Sequence, residues 1–302
     1  MSISSDIVRR LLVEPGKPAD LAHRNPAWKG GKALARLSGK QAKQRATEAL
    51  DLSRAEIERE QELLWANDTR SLLVVFQALD AAGKDGTIKH VMSGVNPQGC
   101  EVTSFKQPSA EDLDHDFLWR VGNALPERGR IGIFNRSHYE EVLVVKVHPE
   151  FLEHQQLPPG PRGARFWRQR YESINNFERH LDRNGTTVVK FFLHVSKAEQ
   201  HKRLLSRLDE PDKEWKFSAA DVAERQHWDE YMDAFETALT ATSTAWAPWY
   251  VIPADHKYIM RALVAGVLVE TIRSLNLTYP TVTTEQHVAN QEARRLLEAE
   301  KA

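Results

Sequence analysis

The residues with the clearest capacity for chemistry lie in one short segment, 80–87, between an apolar run and a helical pattern. Successive backbone N–H groups in such a loop surround phosphate oxygens, and the N-terminus of the next helix adds positive potential. Lys84 supplies a point charge, while Gly83 and Gly86 permit close approach of the backbone. The segment predicts a phosphate-binding loop whose contacts are Ala81, Ala82, Gly83, Lys84, Asp85, Gly86, Thr87 and Lys89.

The loop departs from the G-x-x-x-x-G-K-[ST] pattern at two places. Ala78 replaces the first glycine, and Asp85 stands where a hydroxyl that binds Mg²⁺ is expected. Mg²⁺ prefers hard oxygen ligands and keeps several of its waters, so Asp80 is the predicted metal ligand, with Asp85 as the second candidate and Mn²⁺ as the alternative ion. A small-residue turn that binds nothing is the competing interpretation, and the two glycines flanking Lys84 argue against it.

A second polar cluster follows the apolar run 131–134, where α/β sheets place ligands beyond the carboxyl ends of their strands. It resembles a Walker B position in which Asn135 replaces aspartate. Arg136 is the predicted catalytic partner of Asp80 and Lys84, because a guanidinium binds phosphate in a planar, bidentate manner. A core role for His138 and Tyr139 remains an equal alternative. The predicted segment comprises Asn135, Arg136, Ser137, His138, Tyr139 and Glu140.

Cations must cluster locally if the chain binds a polyanion, because its formal net charge is −1. Basic residues are frequent in the helical patterns after residue 146, and a solvated helix face is the simpler interpretation for most of them. A long polyanion requires several cations along one groove. The segment 197–225, with a Trp-Lys-Phe sequence in its loop, predicts a mobile lid. The predicted phosphate contacts of these regions are Arg170, Arg203, Arg207 and Lys216.

Strand and helix patterns alternate along the chain and would place these residues at loop ends. The predicted strands are 71–79, 100–105, 131–135, 186–195 and 249–253. The predicted helices are 39–65, 84–92, 109–125, 166–181, 197–208, 219–240 and 257–275. The pattern predicts an α/β, three-layer P-loop kinase sandwich with a mainly parallel sheet. The predicted division is an N-terminal helical extension at 1–65, a kinase domain at 66–278 and a C-terminal tail at 279–302.

Bulk properties exclude several other classes. No apolar stretch reaches the length of a membrane span, and the first 20 residues lack the order of a signal peptide, which predicts a cytoplasmic protein without a membrane partner. The single cysteine, Cys100, excludes an internal disulfide and a cysteine-rich zinc site. No aromatic stacking pattern accompanies the basic residues, so no nucleic-acid partner is predicted.

Several sequence blocks together resemble the type 2 polyphosphate kinase family, in particular the subgroup called class III. They are LDAAGKDGTIKHV (79–91), SGVNPQGCEVTSFKQPS (93–109), IFNRSHYEEVLVVKVH (133–148), NGTTVVKFFLHVSKAEQ (184–200), RLDEPDKEWKFS (207–218) and APWYVIPADHKY (247–258). The resemblance implies a thymidylate-kinase-like fold, a homodimer or homotetramer, Mg²⁺ at Asp80, phosphate contacts at Lys84 and Arg136, and a lid at 197–225. Asn135 departs from the aspartate of much of the family, which argues against metal ligation there and favours the subgroup.

The resemblance implies reversible phosphoryl transfer from inorganic polyphosphate to nucleoside mono- and diphosphates, namely AMP and ADP and also GMP and GDP. The acceptor is then an anionic phosphate oxygen, so no general base has to remove a hydroxyl proton. Two alternatives stay open from the residues alone. One is an ATP-dependent nucleotide kinase with the same loop and lid, and the other is a nucleotide-binding regulatory module without catalysis.

Overall fold

The protein, described here from a computed structural model, folds around one five-stranded sheet. The structure describes residues 3–31, 34, 36–212 and 214–300, with the side chain of Lys216 outside the description. Its strands are β1 Ser71–Gln77, β2 Cys100–Ser104, β3 Ile131–Asn135, β4 Thr186–His194 and β5 Trp249–Pro253. The strand order is β2-β3-β1-β4-β5, and all four pairings are parallel.

Helices connect these strands and cover both faces of the sheet. Before the second strand lie α1 Ser5–Leu11, α2 Gly39–Asn67 and α3 Lys84–Val91. The middle of the chain contains α4 Ala110–Leu113, α5 Trp119–Gly122, α6 Val144–Val147 and α7 Ala164–Arg183. The remaining helices are α8 Lys197–Asp209, α9 Ala219–Glu224, α10 Trp228–Thr242, α11 Lys257–Arg273 and α12 Thr284–Ala299.

The central strand β1 explains the layering. All seven of its residues are buried, and their alternation sends successive side chains to opposite faces. Leu72 and Val74 join a core with helices α2, α3 and α11, whereas Leu73 and Val75 join a second core with α7 and α10. Apolar residues on both faces are typical of parallel sheets covered by helices. The predicted three-layer α/β sandwich is therefore confirmed.

The predicted strand ends differ from the observed ones by two residues at most, but two helical predictions were wrong in detail. The predicted helix 109–125 is two short helices, because the Asp116 carboxylate accepts from the Leu118 N–H at 2.9 Å and turns the chain. The predicted helix 219–240 is interrupted by a 3₁₀ turn, Arg225–His227. The tail contains α12, whose residues are all exposed. None of the helices in the described ranges has the length and apolar character needed to cross a bilayer.

The N-terminal segment lies along the edge strand β5. Leu12 forms an antiparallel bridge with Tyr250, and the Val13 N–H donates to the Trp249 carbonyl at 2.8 Å. Val8, Leu11 and Val13 are buried. Helix α2 packs its Ile57 and Leu64 side chains into the core shared with α11. Residues before the sheet therefore contribute to both hydrophobic cores of the protein.

Candidate active site

A cleft of about 860 Å³ opens at the carboxyl ends of the parallel strands, where β1 continues into the predicted phosphate loop. This is the position at which open α/β sheets bind ligands. Eight basic side chains and two acidic ones line it, although the whole chain has a formal net charge of −1. The basic residues are Lys84, Lys89, Lys106, Arg136, Arg203, Arg207, Lys257 and Arg261. The cleft is thus built for a polyanion.

The phosphate loop has an unusual backbone conformation. Ala81 and Gly83 both have positive φ angles, 60° and 109°, and α3 begins directly afterwards at Lys84. A Cβ atom on Gly83 would lie 3.3 Å from the Met260 methyl carbon, so the loop packs closely against helix α11. Positive φ at a residue other than glycine is strained and tends to occur at ligand sites.

Lys84 and Thr87 fix the start of α3. The Lys84 ammonium donates to the Ala78 carbonyl at 2.8 Å, which draws the side chain back across the loop. Burial lowers the pKa of Lys84, and the neighbouring Asp80 carboxylate offsets part of this effect. The Thr87 hydroxyl donates to the Gly83 carbonyl at 2.9 Å, and Thr87 is buried outside the cleft lining. Its predicted phosphate contact is therefore wrong for the side chain, which is used to close the first helical turn.

Asp80 and Arg136 form the central ion pair of the cleft. The Arg136 guanidinium donates to the Asp80 carboxylate at 2.7 Å and lies 3.6 Å from Glu140. Burial would raise the pKa of Asp80, but Lys84 and Arg136 outweigh it, so that pKa lies below its ordinary value. Burial raises the pKa of Glu140, although Arg136 and Lys84 act against it. The three predicted catalytic residues, Asp80, Lys84 and Arg136, therefore lie together.

Asn135 faces the cleft at the end of β3. Its side-chain amide donates to the Asp85 carboxylate at 2.8 Å, so the position is linked to the phosphate loop as a hydrogen-bond donor. A carboxylate at this position would face Asp85 with like charge. Asparagine at this position therefore adds no negative charge to a cleft lined mainly by basic side chains.

Arg203 lines the cleft, yet its guanidinium is largely occupied by protein carbonyls. It donates to Ala82 and Ala254 at 2.6 Å each, and more weakly to Ala81 and Asp255, at 3.3 and 3.2 Å. This side chain connects the phosphate loop with the end of β5. The phosphate contact predicted for Arg203 remains a prediction. The sequence did not reveal that Arg203 also links the phosphate loop to the end of β5.

The predicted lid is held together by an internal ion pair and contacts the body through Glu224. Arg207 on α8 donates to Asp221 on α9 at 2.9 Å, and both flank the cleft region near Asp80. Glu224 accepts from the Tyr231 hydroxyl at 2.6 Å and lies 2.9 Å from the His148 ring nitrogen. The segment therefore lies against the body at Glu224, and its motion remains a prediction.

Seven predicted site residues are not part of the cleft lining: Ala82, Thr87, Ser137, His138, Tyr139, Glu140 and Arg170. The cleft position predicted for Arg170 is wrong, because its guanidinium is buried on α7 and donates to Glu141 and Gln155 at 2.6 Å each. The polar side chains of Ser137, His138 and Tyr139 are buried and bond to core partners, which contradicts their predicted place in the cleft and agrees with the core alternative for His138 and Tyr139. Glu140 lies beside Arg136 and lines the neighbouring pocket. For Lys216, the side chain lies outside the described residues.

Sequence reasoning missed three cations of the cleft and one buried polar cluster. Lys106 follows β2 directly, and Lys257 and Arg261 lie one turn apart at the start of α11, after β5. Each lies at or after the carboxyl end of a parallel strand, which was the available signal. The buried cluster centres on Lys190 and Glu178. Charged residues inside a strand and a helix gave no sign of pairing before the fold was known.

The comparisons with known proteins agree on one family. The sequence profile described as "Polyphosphate kinase 2 (PPK2)" matches residues 40–279. A relative from Rhodopseudomonas palustris, named ADP-polyphosphate phosphotransferase, is 57% identical over 237 residues, 77% of this chain and 82% of that protein. A relative from Meiothermus ruber, named AMP/ADP-polyphosphate phosphotransferase, is 49% identical over 238 residues, 79% of this chain and 85% of that protein.

Solved structures give the same result. The crystal structure of Polyphosphate Kinase 2 from Arthrobacter aurescens superimposes with a TM-score of 0.86 at 37% sequence identity, covering 100% of this chain and 99% of that one. Sequence, fold and the arrangement of the cleft therefore point the same way, and the chain belongs to the polyphosphate kinase 2 family.

Proposed function

We propose that the protein transfers phosphoryl groups between inorganic polyphosphate and nucleoside mono- and diphosphates. The observation that carries the proposal is the cleft itself, where eight basic and two acidic side chains surround the Asp80, Lys84 and Arg136 trio. A nucleotide of smaller charge needs fewer cations than a nucleotide together with a phosphate chain. The names of the Rhodopseudomonas and Meiothermus relatives support ADP and AMP as acceptors, as expected for a class III member.

The reaction is a direct displacement at the terminal phosphorus of polyphosphate. A phosphate oxygen of AMP or ADP forms the new P–O bond, while the bond to the bridging oxygen breaks and leaves polyphosphate one unit shorter. Lys84 and Arg136 offset negative charge on the two substrates, and the loop amides hold the phosphates in line. Because the acceptor oxygen carries no proton, the reaction uses no general base and runs in either direction.

The oxygen donors of the cleft fit a Mg²⁺ ion, with Mn²⁺ as the alternative. Asp80 and Asp85 both present carboxylates to the cleft, each with one oxygen engaged by Arg136 or Asn135. No group of three or more His, Cys, Asp or Glu in the described ranges is arranged to hold a metal, so the ion would take its remaining ligands from phosphates and water. When bound, it would neutralise phosphate charge.

The proposal is tested with purified protein, Mg²⁺, polyphosphate and either AMP or ADP, in the absence of ATP. We expect ADP and ATP to form, and chromatography of the nucleotides would detect both products. Lys84→Met should lose this activity, whereas Lys43→Met, which removes the same charge from an exposed position on α2, should retain it. Phosphorylation of AMP with ATP alone as donor would establish an ATP-dependent nucleotide kinase instead. Nucleotide binding without transfer would indicate a regulatory module.

A further inference from the structure

A fully buried ionic cluster lies directly beneath the residues that follow β3. Lys190 on β4 and Glu178 on α7 are both 0% exposed, and their charged atoms are 2.6 Å apart. The Lys190 ammonium also donates to the Tyr139 hydroxyl and to the Thr242 carbonyl, at 2.8 Å each. All three of its N–H groups therefore have partners. We call Lys190, Glu178 and Tyr139 the Lys190 cluster.

The cluster is anchored to the cleft through the loop 136–140. Arg136, which lines the cleft, and Glu140, at the other end of this loop, lie 3.6 Å apart. The residues between them point inward, where the Tyr139 hydroxyl donates to Glu178 at 2.9 Å and the His138 ring nitrogen lies 3.4 Å from the same carboxylate. The loop is thus held from inside between its two cleft residues.

The backbone of Arg136 needs such an anchor. Its φ angle is 64°, in the left-handed region that side-chain-bearing residues rarely adopt, and its N–H donates to the Phe76 carbonyl at 3.0 Å. A strained conformation of this kind persists where the surrounding structure fixes it. After Arg136, the chain is restrained by the Ser137 hydroxyl, which accepts from the Gln77 side-chain amide at 3.2 Å, and by the inward bonds of His138 and Tyr139.

Stability alone gives a poor reason for the cluster. Desolvation of a buried ion pair can cancel its Coulombic gain, and apolar residues of similar volume often fill the same space equally well. We propose that Lys190, Glu178 and Tyr139 are positioning residues, which fix the loop 136–140 so that the Arg136 guanidinium meets Asp80 and the substrate phosphate. This inference rests on the proposed function for the task of Arg136.

The first test removes both buried charges together, so that no unpaired charge remains inside. Lys190→Met/Glu178→Leu should lower kcat by roughly 10- to 100-fold, as expected when a charged group is displaced by about 1 Å, while the protein stays folded. Tyr139→Phe keeps the ion pair and the ring, and it should lower kcat in the same direction by a smaller factor. Tyr139→Phe also provides the test if the double variant fails to fold.

A double-mutant cycle separates positioning from a general structural effect. In an Arg136→Ala background there is no guanidinium left to position, so the Lys190→Met/Glu178→Leu change should lower the residual kcat by less than about twofold. If the cluster merely supports the core, the factors by which its loss and the loss of Arg136 lower kcat should multiply. Multiplying losses, with either the double variant or Tyr139→Phe, would overturn the inference.

Hydrogen exchange provides a measurement that does not depend on activity. The amides of residues 136–141 should exchange about tenfold faster in Lys190→Met/Glu178→Leu than in the wild type. Ile57→Ala, which removes buried volume on the opposite face of the sheet, is the control and should leave these amides unchanged. Unchanged exchange in the cluster variants would also overturn the inference. If the wild type makes no product from polyphosphate, the proposed function fails, but the exchange result still decides whether the cluster holds this loop.

Discussion

Replacement of Arg203 by methionine tests whether this side chain connects the phosphate loop to the sheet or binds phosphate itself. Arg203 is 7% exposed and makes two 2.6 Å hydrogen bonds, to the carbonyls of Ala82 and Ala254. A hydrogen bond from a charged donor contributes about 1.5 kcal/mol or more, so the two together are worth ~3 kcal/mol. For a domain of this size, that loss should lower the Tm by about 5–10 °C.

Thermal unfolding and steady-state kinetics together distinguish the two tasks. With Arg203→Met we expect the lower Tm and also a fall in kcat/KM, because the loop that carries the phosphate amides loses its connection to β5. Lys202→Met is the matched control, since Lys202 is the exposed neighbour on the same helix and loses the same charge. A Tm within about 1 °C of wild type, together with a raised KM for polyphosphate, would refute the structural reasoning and leave a direct phosphate contact.

Three further predictions follow from single side chains. Lys84→Met should lower kcat by roughly 10²- to 10³-fold with little change in Tm, because its charge acts on the reacting phosphates, and near-normal turnover would contradict this. Arg170→Met should lower the Tm by several degrees because Glu141 loses its partner, yet leave the KM for polyphosphate unchanged, and a large rise in that KM would return Arg170 to the binding site. Burial lowers the pKa of His194 to about 4, so the unfolded chain binds a proton between pH 6.5 and 4 that the folded protein does not. The free energy of unfolding should therefore decrease as the pH is lowered through that window, by up to ~1.4 kcal/mol per pH unit. His194→Asn should flatten a plot of Tm against pH, and an equal slope in both proteins would exclude His194 as the cause.

The positions of strands and of the phosphate loop were predictable because they depend on short-range pattern. Residues 72–76 are all apolar and all buried in the sheet, and Gly83, with a φ angle of 109°, lies at the turn into α3. Asp80 and Arg136 come together because strand ends of a parallel sheet meet at one edge. These relations require no knowledge of distant partners.

Three of the wrong or missing assignments depend on such partners. Arg170 looks like any other arginine of a basic helix until Glu141 and Gln155 are seen to surround it. Arg203 lines the cleft, but the carbonyl acceptors of its guanidinium come from two distant segments. Lys190 lies inside a strand, and no local sequence pattern shows that the Glu178 carboxylate of the neighbouring helix layer pairs with it. Side-chain pairing in three dimensions therefore sets the limit of sequence-based inference here.

The N-terminal segment has a practical consequence for any shortened form of the protein. The family match begins at residue 40, so a fragment that starts there would still contain every residue that matches the family. Such a fragment would leave the outer backbone groups of Trp249 and Tyr250 without the pairing that Leu12 and Val13 now supply. An uncovered sheet margin recruits other chains. We expect the truncated protein to precipitate or to form larger assemblies than the full chain does.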